Sequence, residues 1–224
     1  MGRSKRYRAA EQGLERQRRY ALGEAVDLVK AGASAKFDET IEFAVRLHVS
    51  GNQTVRDTCV LPHSFQGEQR IVVFARDEKA DEARAAGATE VGDEDLVEKI
   101  KGGWVDFDVA VATPDMMRDV GKLGPVLGRR GLMPNPKTRT VTNDLSATLA
   151  ELRKGRVEFR ADKSGVIHMA VGKASMTGEQ IAENVRFLID EVAKRRPADA
   201  KGEFMGNVAL SSSMGPGVKV EWNE

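Results

Sequence analysis

The chain has 224 residues, 41% of them hydrophobic and 31% charged, with a formal net charge of +1, the make-up of a folded soluble protein with one large or two small domains. No run approaches the roughly 18 consecutive apolar residues of a membrane span, and no apolar stretch follows the basic N-terminus as a signal peptide would require, so a cytoplasmic chain without a membrane is expected. The single cysteine, Cys59, excludes a disulfide framework and a Cys-based zinc site, and its Val/Thr-rich surroundings suit a small core hydrophobe.

The near-zero net charge hides an uneven distribution. Residues 1–20 carry seven Arg or Lys (Arg3, Lys5, Arg6, Arg8, Arg16, Arg18, Arg19) against Glu11 and Glu15, and residues 121–139 carry five and no acid. Residues 76–101 carry nine acids against five bases. Separate basic surfaces of the kind a polyanion needs are one reading of this pattern, and solvated helix faces are the other.

After the basic arm, Leu22, Ala25, Val26 and Val29 recur at helical spacing and predict a short helix with Gly32 as its stop. Ile41, Phe43, Val45, Leu47 and Val49 then alternate with Glu42, Ala44, Arg46 and His48, the period of a half-buried strand. Residues 55–61 read as its hairpin partner across the loop Ser50-Gly51-Asn52-Gln53. The pattern changes after Pro62. Ile71-Val72-Val73-Phe74-Ala75 and Val109-Ala110-Val111-Ala112 are continuous apolar runs followed by helix-like sequence (78–86 and 114–120), as in parallel strands covered on both faces. Between them, residues 88–91 suit a short strand and 95–101 a helix.

Alternation returns at Val157, Phe159 and Ala161, then at Val166, Ile167, Met169 and Val171, joined by the hairpin turn Asp162-Lys163-Ser164-Gly165. Thr177 and Gln180 have capping-box spacing ahead of an apolar stripe of Ile181, Val185, Leu188, Ile189 and Val192. Two last strands, 206–210 and 217–221, flank Ser211-Ser212-Ser213-Met214-Gly215-Pro216. Antiparallel sequence thus brackets a parallel-sheet stretch. The expected fold is an α+β discontinuous domain, residues 1–64 plus 156–224, interrupted by an inserted α/β domain (Rossmann-like, three-layer) at 65–155, and the two chain crossings would make a hinge.

A doubly wound insert invites a nucleotide-enzyme reading, but the phosphate motifs are missing. Residues 121–128 match neither Gly-x-Gly-x-x-Gly nor a P-loop, and Pro125 lacks an N–H that a phosphate cradle would use. His48, His63 and His168 are scattered, with no metal-ligand spacing and no carboxylate pair beside them. No catalytic residue, metal or cofactor is expected.

The run Gly121-Lys122-Leu123-Gly124-Pro125-Val126-Leu127-Gly128-Arg129-Arg130-Gly131-Leu132-Met133-Pro134-Asn135-Pro136-Lys137 packs glycines, prolines and cations together. It reads as a stiff RNA-facing loop or as a surface turn rich in breakers. This run closely resembles the signature of the ribosomal protein L1 family, whose members are stalk proteins of the large subunit. The resemblance continues through Ala35-Lys36-Phe37-Asp38-Glu39-Thr40-Ile41-Glu42, Val60-Leu61-Pro62-His63, Gly103-Trp104-Val105-Asp106-Phe107-Asp108, Ala112-Thr113-Pro114-Asp115, Gly155-Arg156-Val157-Glu158-Phe159-Arg160 and Met214-Gly215-Pro216. These segments span nearly the whole chain, and they resemble the family's bacterial form.

The resemblance implies a main RNA site on the discontinuous domain and a mobile inserted lobe. The implied RNA face gathers Lys36, Phe37, Thr40, Glu42, Asp162, Lys163, Ser211, Ser213, Met214 and Gly215. Lys36 and Lys163 suit phosphates, the hydroxyls of Thr40, Ser211 and Ser213 suit ribose, and Glu42 and Asp162 can accept from hydroxyls or base amino groups. Phe37 and Met214 offer apolar surface, and Gly215 lets backbone approach RNA. Competing readings place Phe37 in the core and make Met214 a plain turn residue.

Two departures stand out. The family's longer Asp-Pro-Arg-containing loop is reduced here to residues 50–53, and its common Thr-Met-Gly is Ser213-Met214-Gly215. The implied partners are large-subunit ribosomal RNA, exit-site transfer RNA and the chain's own messenger RNA, with a ribosomal, cytoplasmic location and a free monomer. Against this stand a nucleotide-dependent enzyme and a protein-interaction module docking through its acidic face.

Overall fold

The computed structural model describes residues 4–15, 17–49, 55–198 and 202–222. Its helices are α1 (Lys5–Glu11), α2 (Leu22–Gly32), α3 (Asp77–Ala85), α4 (Glu94–Lys101), α5 (Met117–Val120), α6 (Gly124–Arg130), α7 (Leu145–Arg153) and α8 (Gly178–Lys194). Its strands are β1 (Thr40–Leu47), β2 (Arg56–Val60), β3 (Ile71–Phe74), β4 (Glu90–Gly92), β5 (Val109–Ala112), β6 (Arg156–Arg160), β7 (Val166–Lys173), β8 (Met205–Ser212) and β9 (Val218–Val220). By its internal contacts the mixed α and β chain divides into two units, Met1–Phe65 with Glu158–Glu224, and Gln66–Val157.

In the first unit the alternation of β1 decides the architecture. Ile41, Phe43, Val45 and Leu47 point into the core at 3% exposure or less, while Glu42 and Arg46 face outward. The strand lies inside a four-stranded sheet of order β7-β1-β8-β9, antiparallel throughout. Against the buried face pack α2, through Ala25, Val26 and Val29, and α8, through Ile181, Val185, Leu188, Ile189 and Val192. The Thr177 hydroxyl accepts from the Gln180 amide while the Gln180 side chain accepts from the Thr177 amide, so the capping box forms. Within the basic arm, Ser4 caps α1 by accepting from the Tyr7 amide, a helix that the arm's charge pattern does not predict.

Two expected hairpins are corrected. Residues 55–61 are not the partner of β1: β2 pairs with β6 in a separate two-stranded sheet. Both edges of β1 are already occupied by the eight-residue strands β7 and β8, so no edge is left for a third partner. The expected connecting loop, residues 50–53, lies outside the described residues. The turn at 162–165 does form, yet the strands it joins diverge, linked by the bridge Ala161↔Ile167 before β6 joins β2 and β7 joins β1. Cys59 on β2 is buried, and burial pushes its thiol up to about 12, so it stays protonated and unreactive at neutral pH.

The second unit is built on a parallel sheet of order β4-β3-β5. Every residue of β3 is buried because both faces are covered. Val72, Phe74, Ala110 and Ala112 meet Leu96, Val97 and Ile100 of α4 together with Met116, Val120, Leu123 and Leu127. On the other face Ile71, Val73 and Val111 meet Ala80 and Ala83 of α3 and Leu145, Leu149 and Leu152 of α7. The sequence reading omits α7, although Asp144 caps it by accepting from the Ala147 amide at 3.1 Å and its leucines recur at helical spacing.

The loop reading of residues 121–137 also needs correction, because its first half is helical. Pro125 lies in the first turn of α6, where no backbone N–H is required, and Gly131 ends the helix at φ 72°. Leu123 and Leu127, one turn apart, are fully buried. Breaker composition signals a loop only where the breakers fall inside an element, and here they fall at its ends.

Candidate nucleic-acid interface

The outward face of the first unit's sheet follows from the parity of β1. Thr40, Glu42, Ala44 and Arg46 share that face. Pairing sets Glu42 opposite Ser211 of β8 and Ala170 of β7, and sets Ala44 opposite His168 and Ala209. Small side chains beside charged ones leave this surface polar and low.

At the start of β1 the structure brings together eight of the ten expected residues. Ser213 is tied to Thr40 three times: its amide donates to the Thr40 carbonyl at 3.0 Å, and its hydroxyl accepts from the Thr40 amide at 3.1 Å and donates to the Thr40 carbonyl at 3.3 Å. Lys173 Nζ donates to Thr40 Oγ1 at 2.7 Å, so two of the hydroxyls expected to meet ribose already have protein partners. Lys36, Phe37, Glu42, Ser213 and Met214 are exposed, while Thr40, Ser211 and Gly215 are half-buried. Phe37 at 57% and Met214 at 49% are the large hydrophobics exposed among the described residues, which excludes a core role for Phe37. Gly215 has a reason internal to the turn: a Cβ there would lie 2.5 Å from Ser212 Oγ.

Beneath this cluster sits a carboxylate that the sequence reading left unassigned. Glu39 is 1% exposed. Its Oε1 accepts from the Ala35 amide at 2.8 Å and its Oε2 from the Met214 amide at 2.9 Å. Burial pushes its pKa up, but the Ala35 and Met214 amides, the Ser212 hydroxyl and the charge of Arg6 together hold the carboxylate below its ordinary value. Asp38 clasps Ser175 in the same manner, accepting from its amide at 3.0 Å and its hydroxyl at 2.8 Å.

Asp162 and Lys163 are not part of this cluster. The Leu47 amide donates to the Gly165 carbonyl at 2.7 Å, which sets their turn at the far end of β1. That is about 20 Å away along a strand of this length. Asp162 Oδ1 accepts from the Ser164 and Val166 amides, each at 2.8 Å, and the Val166 bond is the main cause of its lowered pKa. Asp162 therefore shapes the turn that presents Lys163.

The same face also carries Arg46, near its far end, and His168, beside Ala44, neither of them among the RNA residues that the resemblance implies. Parity alone could have found Arg46, whereas His168 required the pairing of β1 with β7. Among the described residues no group of three His, Cys, Asp or Glu could hold a metal, and no helix is long and apolar enough to cross a membrane. The second unit has a groove of about 500 Å³ at the C-terminal ends of β3 and β4. Asp77, Asp81, Glu90, Asp93 and Asp95 line it against Arg76, Arg84 and Lys99, a balance unfavourable to a nucleotide phosphate.

Comparison with known proteins adds an independent line. A family model described as "Ribosomal protein L1p/L10e family" matches residues 29–216. The chain is 55% identical over 222 residues to the large ribosomal subunit protein uL1 of Treponema denticola, covering 99% of this chain and 98% of the relative. It is 56% identical over 218 residues to the uL1 of Borrelia duttonii, covering 97% of each. Against the uL1 of Treponema pallidum (strain Nichols) it is 56% identical over 220 residues, covering 98% of this chain and 97% of the relative.

Proposed function

The chain belongs to the ribosomal protein L1p/L10e family, a non-enzymatic structural constituent of the large ribosomal subunit, and from that premise we propose that its sheet face and flanking turns bind a folded element of large-subunit ribosomal RNA at the stalk. Membership carries with it a ribosome-bound, cytoplasmic location. The observation that supports the RNA reading best is the pair of exposed apolar side chains, Phe37 and Met214, on neighbouring loops bordered by Lys36 and a polar sheet face. Exposed apolar groups on a soluble protein suit the faces of sugars and bases, and cations beside them suit phosphates. A ligand reaching from Lys36 to Lys163 must extend about 20 Å, which a structured RNA does readily.

The two units take different roles in this reading. The discontinuous unit carries the RNA site, and the parallel-sheet unit is an inserted three-layer, Rossmann-like domain acting as the mobile lobe. Deleting residues 65–155 is expected to leave most of the affinity in place, and a folded deletion with no measurable affinity would sink this division. From the family resemblance we further infer that the chain assists release of deacylated transfer RNA from the exit site and represses its own messenger by binding an RNA that mimics the ribosomal site.

Titration of the full chain with a stalk RNA fragment and an unrelated hairpin, at several salt concentrations, tests the reading. Specific RNA binding predicts a preference for the stalk fragment that survives mutation of single cations. Lys36→Ala and Lys163→Ala should each flatten the slope of log affinity against log salt by about 0.7 to 0.9, the contribution of one phosphate contact. Lys99→Ala is the control, because Lys99 is engaged internally with Glu90 and stacked over Trp104 at 3.9 Å. Unchanged slopes in both mutants would mean that these cations face solvent only.

A further inference from the structure

We propose that Glu39 is a positioning residue of the RNA face: its buried carboxylate fixes the Ala35–Phe37 loop and the Ser213–Gly215 turn relative to each other, so that Phe37 and Met214 are presented together. The inference rests on the RNA-binding reading above and extends it to a residue that touches no RNA. A carboxylate has two oxygens and no donor, and here each oxygen receives one backbone amide from a different loop, Ala35 at 2.8 Å and Met214 at 2.9 Å. The two loops are thereby held within two hydrogen bonds of each other across 179 residues of sequence, 214 less 35.

The backbone around Glu39 closes the arrangement. Its carbonyl accepts from the Ala174 amide at 2.8 Å, and the next residue, Thr40, exchanges hydrogen bonds with Ser213. The Ala174 bond fixes the anchor to the sheet independently of the two loops, the Ser213 bonds tie only the first residue of the turn to β1, and Glu39 adds the hold on Met214. Each loop, in turn, carries one of the exposed large hydrophobics, Phe37 two residues beyond Ala35 and Met214 itself. Ordering two loops before the ligand arrives spares the complex that ordering cost, and this is how a buried group raises affinity without contacting the ligand.

Glutamine cannot substitute for Glu39. It keeps one acceptor and turns the other into an NH2 facing a backbone N–H, so one loop must let go. Aspartate keeps both acceptors but is one methylene shorter and cannot reach both amides.

The test measures affinity of the full chain for the stalk RNA fragment in wild type, Glu39→Gln and Glu39→Asp, with melting temperature and salt slope alongside. Both variants are expected to stay folded and to bind about tenfold or more weakly, with an unchanged salt slope, since no phosphate contact is removed. In a chain already carrying Phe37→Ala and Met214→Ala, Glu39→Gln is expected to cost less than about twofold, because the groups it positions are gone. A merely structural role would give the same loss in both backgrounds, and that result overturns the proposal. So does wild-type affinity in a folded Glu39→Gln, or loss of the fold in both variants. Failure of the wild type itself to prefer the stalk fragment would refute the RNA-binding reading instead.

Discussion

Asn184→Ala is expected to destabilise the first unit by about 3–5 kcal/mol, lowering its melting temperature by on the order of 10 °C. Asn184 lies on α8 at 0% exposure, a polar residue within an otherwise apolar stripe. Its Oδ1 accepts from the His63 amide at 2.9 Å, and its Nδ2 donates to the carbonyls of His63 and Val171, each at 2.8 Å. One side chain thus satisfies three backbone groups in two segments, the stretch after β2 and the strand β7.

Alanine would orphan all three, and each buried unsatisfied group costs about 1–3 kcal/mol. Aspartate should not rescue the loss, since it would set a carboxylate oxygen against two carbonyls. The contact of His63 Nε2 with Glu183 Oε2 at 2.5 Å is exposed on its acidic side and should compensate little. Urea and thermal unfolding of the variants decide the matter, and a loss under about 1 kcal/mol would refute the argument.

Removing Phe37 and Met214 should have the complementary signature, a large effect on RNA affinity with little effect on stability. Both side chains are about half exposed or more, so truncation to alanine should change stability by less than about 0.5 kcal/mol. If each covers a base or a ribose, its loss should weaken binding by about 5- to 150-fold, the equivalent of 1–3 kcal/mol per stacked base. The salt slope should not move, because neither residue is charged. Filter binding of the two single variants and the double variant provides the measurement. Wild-type affinity in the double variant would show that the two exposed side chains do not face RNA.

Much of the fold is legible in the sequence where a local period meets a local signal. Alternation in residues 41–49 gives a half-buried strand, the unbroken apolar run at 71–75 a strand covered on both faces, and Thr177 with Gln180 the start of α8. Phe37 and Met214 enter through the family resemblance alone, with a core role for the first and a plain turn role for the second left open, and only the structure leaves both exposed. Residues 55–61 have the right sequence for a hairpin strand, but pairing is a contest for edges, and β7 and β8 hold both edges of β1. Residues 121–131 are rich in breakers, but Pro125 and Gly131 occupy the helix ends, where they are compatible with helix.

What the sequence determined by itself is the set of chemical groups and the period of each element: which side chains are apolar, which are charged, and which face of β1 each must take. Tertiary structure decided which of those groups meet. Nothing near Glu39 in sequence separates it from the acids Asp38 and Glu42 beside it. Only the antiparallel pairing of β1 with β8 brings the Met214 amide onto its carboxylate, and only that burial makes its two oxygens seek amides instead of water. The pairing of β1 with β7 sends Lys163 to the far end of the sheet, although the resemblance groups it with Lys36. Side-chain chemistry is local, but the free energy of a buried carboxylate depends on partners that the chain delivers from far away in sequence.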